Sequence, residues 1–219
     1  MIGIVKSCND PLISHLVEQM FSLRRKQFLD RRKWKISARG GLEIDHFDRL
    51  DPVYVMVTDG GNNLFGALRL LKTVGPHMLS HVFPEILGGM AAPRHSHILE
   101  CSRFCVDTEM SREFGINGIN RVTQELLYGL FCYAREQDIR QLVAVHDLFI
   151  DRILRRAGCD FKRIGKVITC DDGLKACASM FDVSSEVIDR LYLPGFEFRS
   201  AVKLPLFVGA AEPIHMVQR

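Results

Sequence analysis

Apolar positions along the chain change spacing several times, and the changes outline its elements. Ile2 to Val5 reads as a short first strand. Asp10-Pro11 follows, an N-cap with proline at the first helical position. From there Ile13, Leu16, Val17, Met20, Phe21, Arg24 and Phe28 recur at helical spacing and define one face. Arg24 therefore falls on the apolar stripe. Val53 to Val57 and Leu64 to Leu71 predict two strands, joined through Asp59-Gly60-Gly61-Asn62-Asn63 as a hairpin. Arg69 stands near the end of the return strand among Leu68, Leu70 and Leu71. A strand is expected over 98–106, and Ile119, Val122, Leu126, Leu130 and Tyr133 make a buried helix stripe. Gln141 to His146 is another strand, and Ile150 to Arg156 a short helix closed by Ala157-Gly158. Phe161 to Thr169 and Lys175 to Phe181 predict two further strands, and Ser184 or Ser185 caps a last helix. The tail after Leu193 holds three of the eight prolines and is expected to carry little regular structure.

This order predicts an α/β fold with a mixed central β-sheet and helices on both faces, antiparallel at its start and mixed later. A chain of 219 residues fits one domain, 1–219. Two stretches resist assignment. Residues 30–50 lack periodicity, contain Gly40-Gly41 and include Trp34, the only tryptophan. Residues 72–97 form a long connection with Pro76, Phe83-Pro84, Gly88-Gly89 and Pro93. Long irregular segments in a compact domain are often functional.

Charge changes the picture locally. The net charge is only +3, yet Arg24, Arg25, Lys26, Arg31, Arg32, Lys33, Lys35 and Arg39 crowd into sixteen positions with Asp30 alone opposing them. Such a run suits a solvated helix face, an acidic protein or a phosphorylated ligand. It has no recognition-helix pattern, so no nucleic-acid partner is expected. Seven scattered cysteines without a Cys-x-x-Cys argue against disulfides and structural zinc and fit a reducing cytoplasm. His77/His81 and His95/His97 have metal-compatible spacing, but no ligand set converges on them and no metal is expected. Glu43-Ile44-Asp45-His46-Phe47-Asp48 bunches acids without the glycine and later glutamate of a calcium loop. Neither a signal-peptide core nor a membrane span is expected.

The chemistry centres on His97 to Asp107, apolar and cysteine-rich yet carrying Glu100 and Arg103. Regular alternation would put Glu100 on one face with Ser102 and Phe104, and Arg103 on the other with Cys101 and Cys105. A structural ion pair and a tuned general base are both open readings for Glu100. Beyond the strand, Arg112-x-x-Gly115-x-x-Gly118 opens a helix, as phosphate-binding turns do.

Several ordered motifs then coincide. They are Arg24 with Phe28 and Trp34, Glu43-x-Asp45-x-x-Asp48, Gly66-x-x-Arg69-Leu70-Leu71-x-Thr73 and Val82-Phe83-Pro84. Glu100-x-Ser102-Arg103-Phe104-x-Val106 and Arg152-x-Leu154-x-Arg156-Ala157-Gly158 follow. From about Arg24 to Gly158 the chain resembles the acyl-homoserine-lactone synthases, the autoinducer synthases of bacterial quorum sensing. The resemblance implies a three-layer sandwich like that of the GCN5-related N-acetyltransferases. It implies transfer of an acyl group from a thioester to the amine of S-adenosylmethionine, followed by lactone closure and loss of methylthioadenosine. Both are substrates, and no cofactor is implied.

By the same resemblance, Glu100, Arg103 and Asp48 are the catalytic candidates. Arg24, Phe28, Trp34, Asp45, Asp48, Arg69, Phe83 and Arg103 would surround S-adenosylmethionine. Ser102, Phe104, Val106, Arg112, Gly115, Ala144 and His146 would meet the acyl or phosphopantetheine group. Splayed central strands would admit the pantetheine arm. Ala144 and His146 stand where many members carry threonine, which implies an unsubstituted, branched or aryl acyl group. The donor stays open between acyl coenzyme A, favoured by the Arg112 loop, and acyl carrier protein, whose acidity suits the basic run. A plain N-acyltransferase with another amine acceptor is the alternative, but it leaves Trp34 and the acidic segment without a task.

Overall fold

The computed structural model describes residues 2–6, 11–34, 36, 38–60, 62–110, 118–170, 173–196, 198 and 199. Asp10, the Arg112/Gly115 loop and residues 200–219 therefore lie outside the described residues. In chain order the strands and α-helices are β1 (Ile2–Lys6), α1 (Pro11–Arg25), β2 (Val53–Thr58), β3 (Leu64–Lys72), α2 (Met78–His81) and β4 (Ile98–Val106). Then come α3 (Arg121–Glu136), β5 (Gln141–Asp147), α4 (Leu148–Ala157), β6 (Lys162–Thr169), β7 (Lys175–Asp182), α5 (Ser185–Leu191) and β8 (Phe198–Arg199). The strands form one sheet in the order β6-β7-β5-β4-β3-β2-β1-β8. Pairing is antiparallel except between β4 and β5 and between β1 and β8. The mixed sheet with covered faces is as expected. The short β8 is not: Phe198 and Arg199 pair with Ile2 and Gly3 in a stretch expected to be irregular.

Each face has its own core. On one side α3, α4 and α5 pack Leu126, Leu130, Leu154 and Ile188 against Val55, Leu68, Leu70 and Leu142 of the sheet. On the other, α1 lays Leu16, Met20 and Leu23 on Tyr54, Met56 and Ala67. Beside it, Leu79, Ile86 and Leu87 from the 72–97 connection cover Val143, Ala176 and Ala178. The connection thus supplies a short lid of helical turns where no periodicity signalled one. The α1 helix runs on into a π-helical segment, Lys26–Arg31, which buries Phe28. No helix among the described residues is long and apolar enough to cross a membrane.

Two departures from regular pairing position the site. The β3–β4 ladder slips between Ala67 and Arg69, and Arg103 adopts a left-handed backbone with φ of 54°. This bulge reverses the alternation expected beyond Ser102. Cys101, Phe104 and Val106 pack on the α3 side, while Cys105 packs on the α1 side. The second departure lies between β4 and β5, which pair only from Ile98↔Gln141 to Cys101↔Ala144. Beyond that point each strand keeps its other neighbour, β3 or β7, and the two part. The splayed central strands are therefore present.

Gly165 makes the bulge of β6 possible where that strand crosses the Pro84–Leu87 turn. Its φ is 67°, and an added Cβ would lie 2.0 Å from the Ile86 carbonyl oxygen. Neither strain nor clash can be relieved by a side-chain rotation. Gly165→Ala should cost roughly 2–3 kcal/mol, read as a lower urea midpoint at unchanged m-value.

Candidate active site

Six charged side chains from four segments meet on the α1 face of the sheet. Arg24 arrives at the end of α1, Glu43, Asp45 and Asp48 from the following loop, Arg69 from β3 and Arg103 from the β4 bulge. Arg24 and Arg69 are fully buried, and Glu43 is 1% exposed. Charges so placed are tolerable only when paired. Arg24 grips Asp48 with two hydrogen bonds of 2.8 and 2.9 Å and also donates to Glu43. Arg69 donates to both oxygens of Asp45, to Asp48 at 2.8 Å and, through Nε, to Ser102 Oγ at 3.1 Å. Arg103 binds Glu43 at 3.0 Å and Asp45 at 2.8 Å. Three guanidiniums and three carboxylates thus alternate.

Local sequence explains why the acids point inward. Asp45 caps a 3-10 turn over His46–Arg49: its side chain accepts from the Phe47 N–H, and Asp48 accepts from the Asp45 N–H. This capping box is the physical content of the Asp45-x-x-Asp48 spacing. Tyr54 donates its hydroxyl to Asp48 at 2.9 Å. Burial alone would raise the Asp48 pKa, but hydrogen bonds and charge from Arg24, with Arg69 behind, hold it well below the usual carboxylate range. Asp45 is the open member, with its side chain 20% exposed against 2% for Asp48.

Aromatic faces line the cluster. The Trp34 ring stacks on Phe28, with centroids 4.8 Å apart and planes at 21°. Arg103 lies over Phe28 at 5.6 Å and Arg69 over Phe47 at 5.5 Å. Phe83 packs with Phe47, Leu71 and Met78.

Glu100 is fully buried, and its two oxygens accept the N–H groups of Met78 and Leu79 at 2.7 Å each. It is thus held by the first turn of α2 rather than by direct ion pairing. Burial pushes its pKa up to about 7, opposed by those two N–H groups and by the Arg69 and Arg103 charges. Met78 links the two parts, since its sulfur lies 3.4 Å from Arg69 Nη2 and 3.5 Å from Arg103 Nη1.

A protein-family model described as autoinducer synthase matches residues 11–191. The chain belongs to that family. A probable acyl-homoserine-lactone synthase of Sinorhizobium fredii is 35% identical over 153 residues, covering 70% of this chain and 74% of the relative. The solved structure of MesI, a CoA-dependent acyl-homoserine lactone synthase, is 31% identical with a TM-score of 0.74, covering 87% of this chain and 93% of that one. TofI, solved with an inhibitor and MTA, is 27% identical with a TM-score of 0.72 and covers 87% and 96%. A Lactobacillus plantarum N-acetyltransferase, 17% identical at a TM-score of 0.54, shares the fold alone. This autoinducer synthase is an acyltransferase of quorum-sensing signal production.

Of the remaining predicted positions of the synthase, those among the described residues lie on β4 and β5. Ser102 joins the charged cluster through Arg69. Phe104 packs on the α3-side core, and so does Ala144. Val106, at the end of β4, borders a cavity of 470 Å³ that lies between the π-helical segment and Asp107–Glu109, off the charged cluster. His146 turns to Ser179, Asp151 and Cys177. Arg112 and Gly115 are outside the described residues. Sequence reasoning gave no site role to Glu43, Tyr54, Phe47 or Met78. Glu43 was legible as an acid two residues from Asp45; the other three carry no signal that separates them from core.

Removing Arg24 would leave Glu43 and Asp48 with fewer cations in a dry setting. Arg24→Ala should cost about 3–5 kcal/mol in chemical denaturation. Arg24→Lys should recover only part of this, because one ammonium cannot present the fork that spans both acids.

Proposed function

We propose that this synthase, acting as one domain over its 219 residues, acylates S-adenosylmethionine from an acyl coenzyme A thioester and closes the product to a lactone. The observation that carries the reading is the meeting of Asp45, Arg69, Arg103 and the aromatic pair Phe28–Trp34 beside Glu100, next to the gap between β4 and β5. A substrate bearing ammonium, sulfonium and carboxylate groups needs both charge signs and an aromatic face within one small region. Asp45 receives the cation of the substrate. Arg69 and Arg103, which otherwise hold Asp45, receive its carboxylate. Arg24 stays with Glu43 and Asp48 and keeps the frame rigid. Trp34 and Phe28 cover the adenine or sulfonium.

Glu100, directly or through a water, takes a proton from the substrate ammonium. The freed amine attacks the thioester carbonyl, forming the C–N bond; the C–S bond breaks and the thiolate departs to be protonated. The carboxylate oxygen of the substrate then attacks its own γ-carbon, and the C–S bond to the sulfonium breaks to release methylthioadenosine. A base with a pKa near 7 is matched to this task at neutral pH.

The thioester arm enters between β4 and β5, flanked by Ser102, Phe104, Val106, Ala144 and His146, and the Arg112-x-x-Gly115 motif is the candidate for its phosphates. Coenzyme A is preferred as carrier for two reasons. MesI is named as CoA-dependent, and part of the basic run is already engaged. Lys26 pairs with Glu109 and Asp107, Arg31 meets Thr108 and Arg32 pairs with Asp147. The MTA bound by TofI fits the same leaving group. The acyl group is unsubstituted, branched or aryl: the hydroxyl opposite Ala144 belongs to Ser179 and is taken up by His146. The free cysteines fit a cytoplasmic setting.

Four measurements test this. Incubation with S-adenosylmethionine and a panel of acyl coenzyme A or acyl carrier protein thioesters should release methylthioadenosine and a lactone identifiable by mass spectrometry, with the coenzyme A donors faster. Glu100→Gln should lower kcat by at least about 100-fold without loss of fold, and wild-type kcat/KM should fall roughly tenfold per pH unit below about 7, where Glu100 is protonated. Asp45→Asn keeps the cap but loses the charge. It should raise KM for S-adenosylmethionine by about tenfold while leaving KM for the thioester unchanged.

A further inference from the structure

A second polar cluster sits on the opposite face of the sheet; its His146 borders the proposed thioester path, but none of its side chains exchanges a proton or forms a bond in the proposed reaction. His146 of β5 and Cys177 of β7 are register partners across the ladder, so their side chains leave the sheet side by side. Asp147 caps α4 by accepting from the Ile150 N–H, and this sets Asp151 one turn in, facing back toward His146. His146 Nδ1, Asp151 Oδ1 and Cys177 Sγ all lie within 4.8 Å of one another. The separations are 3.4 Å for nitrogen to oxygen, 3.8 Å for sulfur to nitrogen and 3.9 Å for sulfur to oxygen. Zinc bonds of about 2.0–2.1 Å to nitrogen or oxygen and about 2.3 Å to sulfur give tetrahedral edges of roughly 3.3 and 3.6 Å. The three donors already stand close to one face of such a tetrahedron.

We propose that His146, Asp151 and Cys177 form a binding site for a zinc-class divalent cation. The surroundings fit that use. His146 Nε2 is 3.0 Å from Ser179 Oγ, an outer partner that fixes the ring when Nδ1 is the ligating nitrogen. Arg163 binds Asp151 Oδ2, which orients the carboxylate and leaves Oδ1 for the metal. Thiolate and carboxylate supply two negative charges against the dication and the Arg163 guanidinium, which also hydrogen-bonds Cys177, and a mixed sulfur, nitrogen and oxygen set favours zinc over magnesium or calcium. The Asp147 carbonyl oxygen, 3.0 Å from Nδ1, or a solvent molecule supplies the fourth donor. On binding, the Cys177 thiol releases its proton to solvent, and the imidazole stays neutral with its hydrogen on Nε2. The loaded site would tie α4 to both β5 and β7.

The test uses the full chain, purified without a metal-chelating tag and stripped with a chelator, then titrated with Co²⁺. One equivalent should bind with a thiolate-to-cobalt charge-transfer band and the visible spectrum of tetrahedral cobalt, both bleached by Zn²⁺. Cys177→Ala should lose the charge-transfer band, and Asp151→Asn should bind at least roughly tenfold more weakly. Zn²⁺ should raise the melting temperature of the wild type far more than that of Asp151→Asn. Circular dichroism checks that each variant folds; Asp151, 16% exposed at its side chain, is the safer replacement should Cys177→Ala not fold. Absence of stoichiometric uptake, or uptake and spectrum unchanged in Asp151→Asn, would overturn the proposal and leave a metal-free cluster in which Nδ1–H donates to Asp147.

Discussion

A guanidinium removed from water keeps its charge only at the expense of carboxylates close by, and here three guanidiniums share the same three acids. That mutual compensation fixes more than the charges. It ties the end of α1, the loop over residues 43–48, β3 and the middle of β4 to one another, although they are far apart in sequence. Each arginine serves two acids, so no member can shift without uncovering another. Such a lattice is costly to assemble, and replacing it by apolar side chains would stabilise many folds. Its presence in an autoinducer synthase suits the zwitterionic substrate proposed above.

The bulge at Arg103 is the backbone counterpart of that lattice. A left-handed non-glycine residue costs roughly 1–2 kcal/mol. The gain is geometric: Arg103 turns to the α1 face, where Glu43 and Asp45 wait, instead of the α3 core. Strain and charge pairing are thus coupled in one residue, as is common where a backbone is shaped for a site.

Periodicity made most of the fold legible. The α1 stripe, the hairpin and the α3 stripe are set by burial, which writes itself into spacing. Arg24 on the stripe was a true signal of a buried charge, and the capping box explains why Asp45 and Asp48 recur at their interval. What escaped was whatever depends on distant partners. The π-helical continuation of α1, the turns within 72–97 and the pairing of β8 have no local code. Arg103 carries no glycine to announce its bulge, so alternation gave the wrong face for Phe104 and Cys105. The role of Glu100 was open because a carboxylate that caps a helical turn looks, in sequence, like one that pairs with arginine. His146 was assigned to the acyl group by motif position alone; its neighbours Asp151 and Cys177 come from later elements that only the folded sheet brings near.

The early end of the β4–β5 ladder has one more implication. Past Cys101 and Ala144 the facing rims of these strands keep main-chain N–H and C=O groups that no strand among the described residues consumes. A slender guest with amides along its length can complete the sheet there as if it were a missing strand, its position dictated by peptide geometry rather than by side chains. Recognition of that kind is indifferent to side-chain replacement, so the tip of the guest can diversify while its shaft stays seated.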